Sequence, residues 1–129
     1  MTTLTSIKLH KQSQQLELTY ADNRCFKLNA EFLRVLSPSA EVRGHGKPVL
    51  QFGKKNVVIQ KVEPVGNYAI KLTFDDGHDS GLFTWEYLLN LCEHQDKHWD
   101  EYLKSLHEAN KSRDPDTAVV SLMDPKQLH

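Results

Sequence analysis

Apolar and polar residues alternate at the start of the chain, with Ile7 and Leu9 on one face of Ser6–Leu9 and Leu16, Leu18 and Tyr20 on one face of Gln15–Tyr20. A period of two is the signature of a half-buried strand, because successive side chains point to opposite faces. The polar run His10–Gln14 between them suits a hairpin loop, and Asp22-Asn23 supplies the turn into a third strand carrying Phe26 and Leu28. A three-stranded meander follows. The period then changes. Asn29 caps a short helix, its side-chain oxygen accepting from the free N–H groups of the first turn, ahead of Phe32, Leu33 and Leu36 at helical spacing. Ser37-Pro38 ends that helix, since proline disfavours helical geometry in the residue before it.

A second pattern begins with the β-branched stretch Val57–Val62, passes a Gly66-Asn67 turn, and continues through Tyr68, Ile70, Leu72 and Phe74 in alternation. These two segments read as a hairpin. Asp75-Asp76-Gly77 makes another turn, Leu82-Phe83 a brief extended piece, and Thr84 the cap of a helix starting at Trp85. From Trp85 to about Leu106, Trp85, Leu88, Leu89, Cys92, Trp99, Tyr102, Leu103 and Leu106 share one broad helical face that covers a sheet. Gln95-Asp96 interrupts the apolar run, so a bend and two consecutive helices are equally compatible with the pattern. No internal repeat or low-complexity tract is visible.

The pattern defines the α+β class: a mostly antiparallel sheet built from two hairpin-like units, a short helix after strand three, and a C-terminal helical region packed on one face. Residues 1–109 form the domain. Residues 110–129, rich in Lys, Ser, Asp and Pro, are expected as a flexible tail. A chain of 129 residues buries roughly two-thirds of its unfolded surface and needs no disulfide or metal for stability. Sixteen basic against seventeen acidic residues give a net charge of -1, which offers no electrostatic case for nucleic acid or anionic lipid. Cys25 and Cys92 lack a CxxC spacing and suit reduced thiols. The N-terminus has no signal-peptide blocks, and no apolar run approaches the roughly 18 residues of a membrane span, so the expectation is a cytoplasmic protein.

Candidate chemistry concentrates in two loops, Leu36–Gly46 and Asp75–Gly81, which pack turn residues, charge and one histidine each. His78, with Asp76 and Asp79 beside it, is a candidate metal ligand oriented by a carboxylate and joined across the fold by His45. The simpler reading is a hairpin turn whose aspartates bond their own backbone while the imidazole fixes the loop. Arg43-Gly44-His45-Gly46-Lys47 offers cations and free N–H groups to an anion but lacks the GxxxxGK[ST] spacing of a phosphate loop. An exposed connector carrying Ser37, Ser39, Glu41, Arg43, His45 and Lys47 is therefore a candidate partner-binding surface. His94 and His98 stand four apart but point away from the apolar stripe, as an exposed helix surface does. Cys92 lies on the stripe, where a buried unreactive thiol is expected, and Cys25 sits beside Arg24 and Lys27 without a base or partner thiol. Of Trp85, Tyr87, Trp99 and Tyr102, three belong to the core stripe, and no basic patch interleaves with them. No nucleophile–base pair or acid–base carboxylate pair emerges, so no catalytic residue is named.

Three strings carry a resemblance: Leu33–Gly46 (LRVLSPSAEVRGHG), Val62–Ala69 (VEPVGNYA), and Phe74–Gly81 (FDDGHDSG) running on to Trp85-Glu86-Tyr87-Leu88. Over roughly residues 5–105 the chain resembles the small N-terminal domain of gamma-butyrobetaine hydroxylase, found alone in many bacteria as a domain of unknown function. The resemblance implies a compact α+β domain with a mostly antiparallel sheet, accessory to a larger domain that carries iron and 2-oxoglutarate and has no room here. In hydroxylase-type members three cysteines on the loop after the first helix, with a histidine from the later turn, hold zinc. His78 matches that histidine, and the cysteine positions fall within Ser37–Gly44, where this chain has Ser37, Ser39 and Val42. Serine hydroxyls are poor zinc ligands beside thiolates. Similar domains also accompany nucleotide-binding iron–sulfur carrier proteins.

The expectation is a non-enzymatic accessory module whose protein partner belongs to an iron–sulfur or oxygenase pathway, with no nucleic acid and no membrane. The alternative is a metal-binding protein holding zinc or iron through His78 and His45 with a neighbouring aspartate.

Overall fold

A computed structural model describes residues 3–39 and 49–120. Its elements run β1 (Leu4–His10), β2 (Gln15–Tyr20), β3 (Cys25–Asn29), α1 (Ala30–Val35), β4 (Ile59–Val65), β5 (Ala69–Phe74), β6 (Asp79–Thr84), α2 (Trp85–Glu93) and α3 (Gln95–Glu108). The fold is α+β, as the hydrophobic periods imply, and its strands divide into two antiparallel three-stranded sheets ordered β1-β2-β3 and β4-β5-β6. The brief extended piece expected at Leu82-Phe83 is in fact a full strand, with Ile70 opposite Phe83 and Thr73 opposite Asp79. Its shortness in the sequence pattern reflects Gly81, which carries no side chain to mark the alternation.

The two halves are built alike, a repeat whose few identical pairs fall at two spacings along the chain. Each is a meander whose last strand runs directly into a helix capped by a polar side chain. Asn29 Oδ1 accepts from Phe32 N–H at 2.7 Å, and Thr84 Oγ1 accepts from Tyr87 N–H at 3.2 Å. The turns before β3 and β6 match bond for bond. Asp22 Oδ1 accepts from Arg24 N–H and Asp76 Oδ1 from His78 N–H, both at 3.1 Å. The third turn residue has positive φ in each, Asn23 at 70° and Gly77 at 82°. Leu18/Leu72, Thr19/Thr73, Tyr20/Phe74 and Asp22/Asp76 correspond at one spacing, whereas Leu28/Phe83, Asn29/Thr84 and Leu33/Leu88 correspond one residue later. The extra residue is a β-bulge in β6, where the register slips between Lys71 and Thr73.

Both sheets turn their apolar faces into one core. Leu16, Leu18 and Leu28 from the first meet Ile70, Leu72, Phe74 and Phe83 from the second, closed by Phe32 and Leu33 of α1 and Leu88 and Leu91 of α2. Each such fully buried side chain stabilises the fold by roughly 1.5–3 kcal/mol relative to exposure.

The apolar run broken at Gln95-Asp96 resolves into two helices that meet at His94, whose φ of -120° is not helical. A smaller cluster of Val35, Tyr102 and Leu106, with Trp99 against it, joins α3 to α1. His98 departs from the exposed surface expected of it. Its ring lies edge-on to Phe32 with centroids 6.4 Å apart, and its Nε2 pairs with Asn90 Oδ1 at 3.0 Å. The break at His94 rotates α3 relative to α2, so one continuous helical wheel misplaces it. Burial then disfavours the charged imidazole and lowers the His98 pKa.

Residues 111–114, part of the segment expected as a flexible tail, lie against the body. Gly53 N–H donates to Ser112 O at 2.8 Å and Lys55 N–H to Arg113 O at 2.9 Å. Arg113 forms a two-pronged pair with the buried Glu31, Nε to Oε2 at 2.8 Å and Nη2 to Oε1 at 2.7 Å, and its guanidinium lies over Trp99. Tyr102 O–H also donates to Glu31 Oε2, at 2.8 Å. A single buried carboxylate thus gathers α1, α3 and the C-terminal strap. Among the described residues no helix is long and apolar enough to cross a membrane.

Candidate functional site

The end of α1 and the β5–β6 turn meet at His78. The bulge in β6 creates the junction. Ser80 Oγ replaces a ladder carbonyl by accepting from Leu72 N–H at 2.8 Å, which leaves Ser80 O turned away from its sheet to accept from Ser37 Oγ at 2.7 Å. Gly81 follows at φ 71°, and a Cβ there would stand 3.3 Å from Ser39 Cα. Only glycine meets both the backbone conformation and the close approach. Tyr87 completes the anchorage from α2, its O–H donating to Leu36 O at 2.6 Å.

His78 is buried, 3% exposed, with Nε2 2.9 Å from Ser37 Oγ and 3.3 Å from Ser39 Oγ. The one proton of Ser37 is committed to Ser80 O, so Ser37 Oγ accepts from the imidazole and His78 Nε2 is the protonated nitrogen. That assignment decides two kinds of chemistry. An Nε2 that carries a proton takes none from Ser37, so the pair is not a nucleophile and its base. It also offers no lone pair to a metal on that side.

The neighbouring carboxylates are engaged by cations. Asp76 Oδ2 accepts from Arg34 Nε at 2.9 Å and from Lys54 Nζ at 2.8 Å, while Arg34 Nη1 reaches Gln51 Oε1 at 3.1 Å. Partial burial alone would raise the Asp76 pKa, but the bonds from Lys54, Arg34 and the His78 N–H outweigh it and hold the group at about 2. Asp79 Oδ1 takes the Gly81 N–H at 3.0 Å, the main cause of its lowered pKa, and Lys71 Nζ lies 3.4 Å from Oδ2. Both aspartates use their own turns' N–H groups, as the simpler sequence reading holds.

The structure therefore brings Ser37, Ser39, His78 and Asp76 into one junction and leaves Asp79 at its exposed rim. Glu41, Arg43, His45 and Lys47 lie outside the described residues. Among the described residues no three of His, Cys, Asp and Glu gather as a metal cage. One protonated imidazole nitrogen and two hydroxyls do not fit the zinc ion that the resemblance implies. Arg34, Ser80, Tyr87, Glu31 and Arg113 escaped the sequence reading. One signal existed: Glu31 and Arg34 interrupt an otherwise apolar six-residue helix, AEFLRV, all of which is buried. Charged residues inside so short a buried segment require partners.

The remaining cysteines behave as their positions imply. Cys92 is buried, and burial pushes its thiol up to about 11. Cys25 is exposed, with the Thr19 hydroxyl donating to Sγ at 3.8 Å.

A two-sheet α+β domain with a loop rooted on a buried histidine and two serines is the class these features define. The family model described as gamma-butyrobetaine hydroxylase-like, N-terminal, matches residues 7–89, and the chain belongs to that family. A structure determined by NMR in solution is 58% identical, covering 96% of this chain and 99% of that one at a TM-score of 0.82. A second NMR structure is 49% identical over 95% of each chain, with a TM-score of 0.76. The crystal structure of a protein of unknown function in the DUF971 family, from Acidithiobacillus ferrooxidans, is 39% identical. It covers 68% of this chain and 90% of that one, at a TM-score of 0.58. No curated protein matches the chain.

Proposed function

We propose that this domain is a non-enzymatic interaction module that presents the Ser37–Lys47 segment and the His78 turn to a protein partner. The observation that carries the reading is the fixed root of that segment. Leu36, Ser37 and Ser39 are held by Tyr87, Ser80 and His78 through buried or partly buried hydrogen bonds. A charged loop springing from a rigid root gives up less conformational entropy on binding than one that is free at both ends. Arg43 and His45 would supply charge-assisted hydrogen bonds, and Asp79 an exposed carboxylate. The partner is drawn from iron–sulfur or oxygenase pathways, where domains of this family occur.

Zinc or iron binding by His78 with His45 and a neighbouring aspartate is the second reading. It draws on the convergence of His78 Nε2 with the Ser37 and Ser39 hydroxyls. It requires Ser37 to turn from Ser80 O so that His78 can give up its Nε2 proton, and so it ranks behind the first.

One experiment separates them. Untagged protein is purified for elemental analysis and titrated with zinc and iron, with His78→Ala as control. In parallel, partner capture is compared between the wild type and the Arg43→Ala and His45→Ala variants. A partner lost in the loop variants, with no stoichiometric metal, supports the module. Stoichiometric metal that disappears in His78→Ala overturns it.

A further inference from the structure

A groove of about 380 Å³ runs between α3 and the C-terminal strap, on a part of the surface distinct from the His78 junction. Its floor is aliphatic: Leu103, 38% exposed, with Leu106 and Val119, the last 43% exposed. Its rim carries the cations Lys55, Lys111 and Arg113 beside His107, with Asp114 as its one acid. Asp114 is held in its charged form, chiefly because its Oδ1 accepts from Asp116 N–H at 2.9 Å and to a lesser extent because Lys55 lies near it, so it offsets one of the rim's cations. Arg113 is committed to Glu31 and fixes the strap that forms one wall. Lys55 and Lys111 pair with no carboxylate among the described residues, and the Lys111 ammonium lies 4.7 Å from the Phe52 ring centroid.

We propose that this groove binds an acidic peptide segment of a partner protein, with an aliphatic side chain on Leu103 and Val119 and flanking carboxylates on Lys55 and Lys111. The argument is charge complementarity. The chain as a whole carries a net charge of -1, so a basic rim around an apolar floor is a local departure. Exposed aliphatic floor favours a peptide over a nucleic acid, which would seek stacking rings and a longer cationic track. The inference does not depend on the Ser37–Lys47 loop and stands or falls separately from it.

The test is fluorescence titration, reading Trp99 beside the Arg113 wall, with a short synthetic peptide that carries glutamates around two leucines. Reversing the rim in the Lys55→Glu/Lys111→Glu double variant should weaken binding by about tenfold or more. Leu103→Ser should weaken it as well, and so should replacing the peptide's leucines by serine. Lys8→Glu, on β1 away from the groove, should leave binding unchanged. Circular dichroism and urea midpoints equal to the wild type show that each variant is folded. A double variant that binds as tightly as the wild type overturns the proposal. So does indifference to the peptide's leucines, or tighter binding of oligothymidylate or phosphatidylserine vesicles than of the peptide.

Discussion

Replacing Asp76 by asparagine tests whether the charge cluster at the β5–β6 turn works as its geometry requires. Asp76 joins α1 through Arg34, the segment after the loop through Lys54, and its own turn through the His78 N–H. Its carboxyl is held at about 2 against an ordinary 3.8, and at 1.36 kcal/mol per pKa unit the difference stabilises the fold by about 2 kcal/mol. The sign follows from the direction. The folded pKa is depressed, so the contribution is fully present above the unfolded value near 3.8 and is lost as the pH falls toward 2. Between about pH 5 and about pH 2.5 the wild type should lose about 1.5 kcal/mol through this group alone. Asp76→Asn removes the charge that the Arg34 guanidinium, 2% exposed, and the Lys54 ammonium both meet at Oδ2. At neutral pH the variant should therefore be less stable by about 2 kcal/mol, the value set by the depressed carboxyl. Urea unfolding followed by tryptophan fluorescence across this range measures both proteins. Other carboxylates titrate in each, so the diagnostic quantity is the gap between them, which should narrow by about 1.5 kcal/mol on acidification. A gap that stays constant from about pH 5 to about pH 2.5 refutes the assignment of the stabilising charge to Asp76.

Four further outcomes follow from the same contacts. Ser37→Ala should cost about 1–3 kcal/mol in thermal unfolding, because it removes the buried hydroxyl that accepts from the His78 N–H and donates to Ser80 O, and the NMR of the wild-type imidazole should show Nε2–H. Gly81→Ala should destabilise by about 1–3 kcal/mol in urea, being strained both by φ 71° and by contact with the Ser39 backbone. Glu31→Gln should speed hydrogen exchange at the Gly53 and Lys55 amides, whose acceptors lie on the strap that Arg113 pins. Alkylation by iodoacetamide, followed by mass spectrometry, should label Cys25 in the folded protein and spare Cys92 until it unfolds.

How far the residues alone lead can be judged from particular elements. The alternation Leu16, Leu18, Tyr20 and the caps Asn29 and Thr84 mark strands and helix starts because these signals are local: a side-chain period, or a bond spanning three residues. The duplication of the meander–helix unit escaped the periodic pattern because its matching residues, such as Leu18-Thr19/Leu72-Thr73, Asp22/Asp76 and Leu33/Leu88, are few and fall at two different spacings. Arg24 and His78 occupy the same place in equivalent turns, yet Arg24 lies at the surface paired with Glu93 while His78 is buried against Ser37. The bulge at Gly81 shifts the later correspondences by one residue.

The order of apolar and polar positions by itself determined the α+β class, the strand and helix succession, and the turns that carry His78 and Asp76. Local sterics and short-range hydrogen bonds suffice for those. Only the tertiary structure decided that Ser37 would accept a hydrogen bond from the imidazole N–H, that Arg34 would be buried against Asp76, and that Glu31 would tie down residue 113. Each of these joins residues about 40 or more positions apart. A buried charge or hydroxyl is satisfied by whichever distant partner packing brings within reach, and no periodicity along the chain encodes that choice.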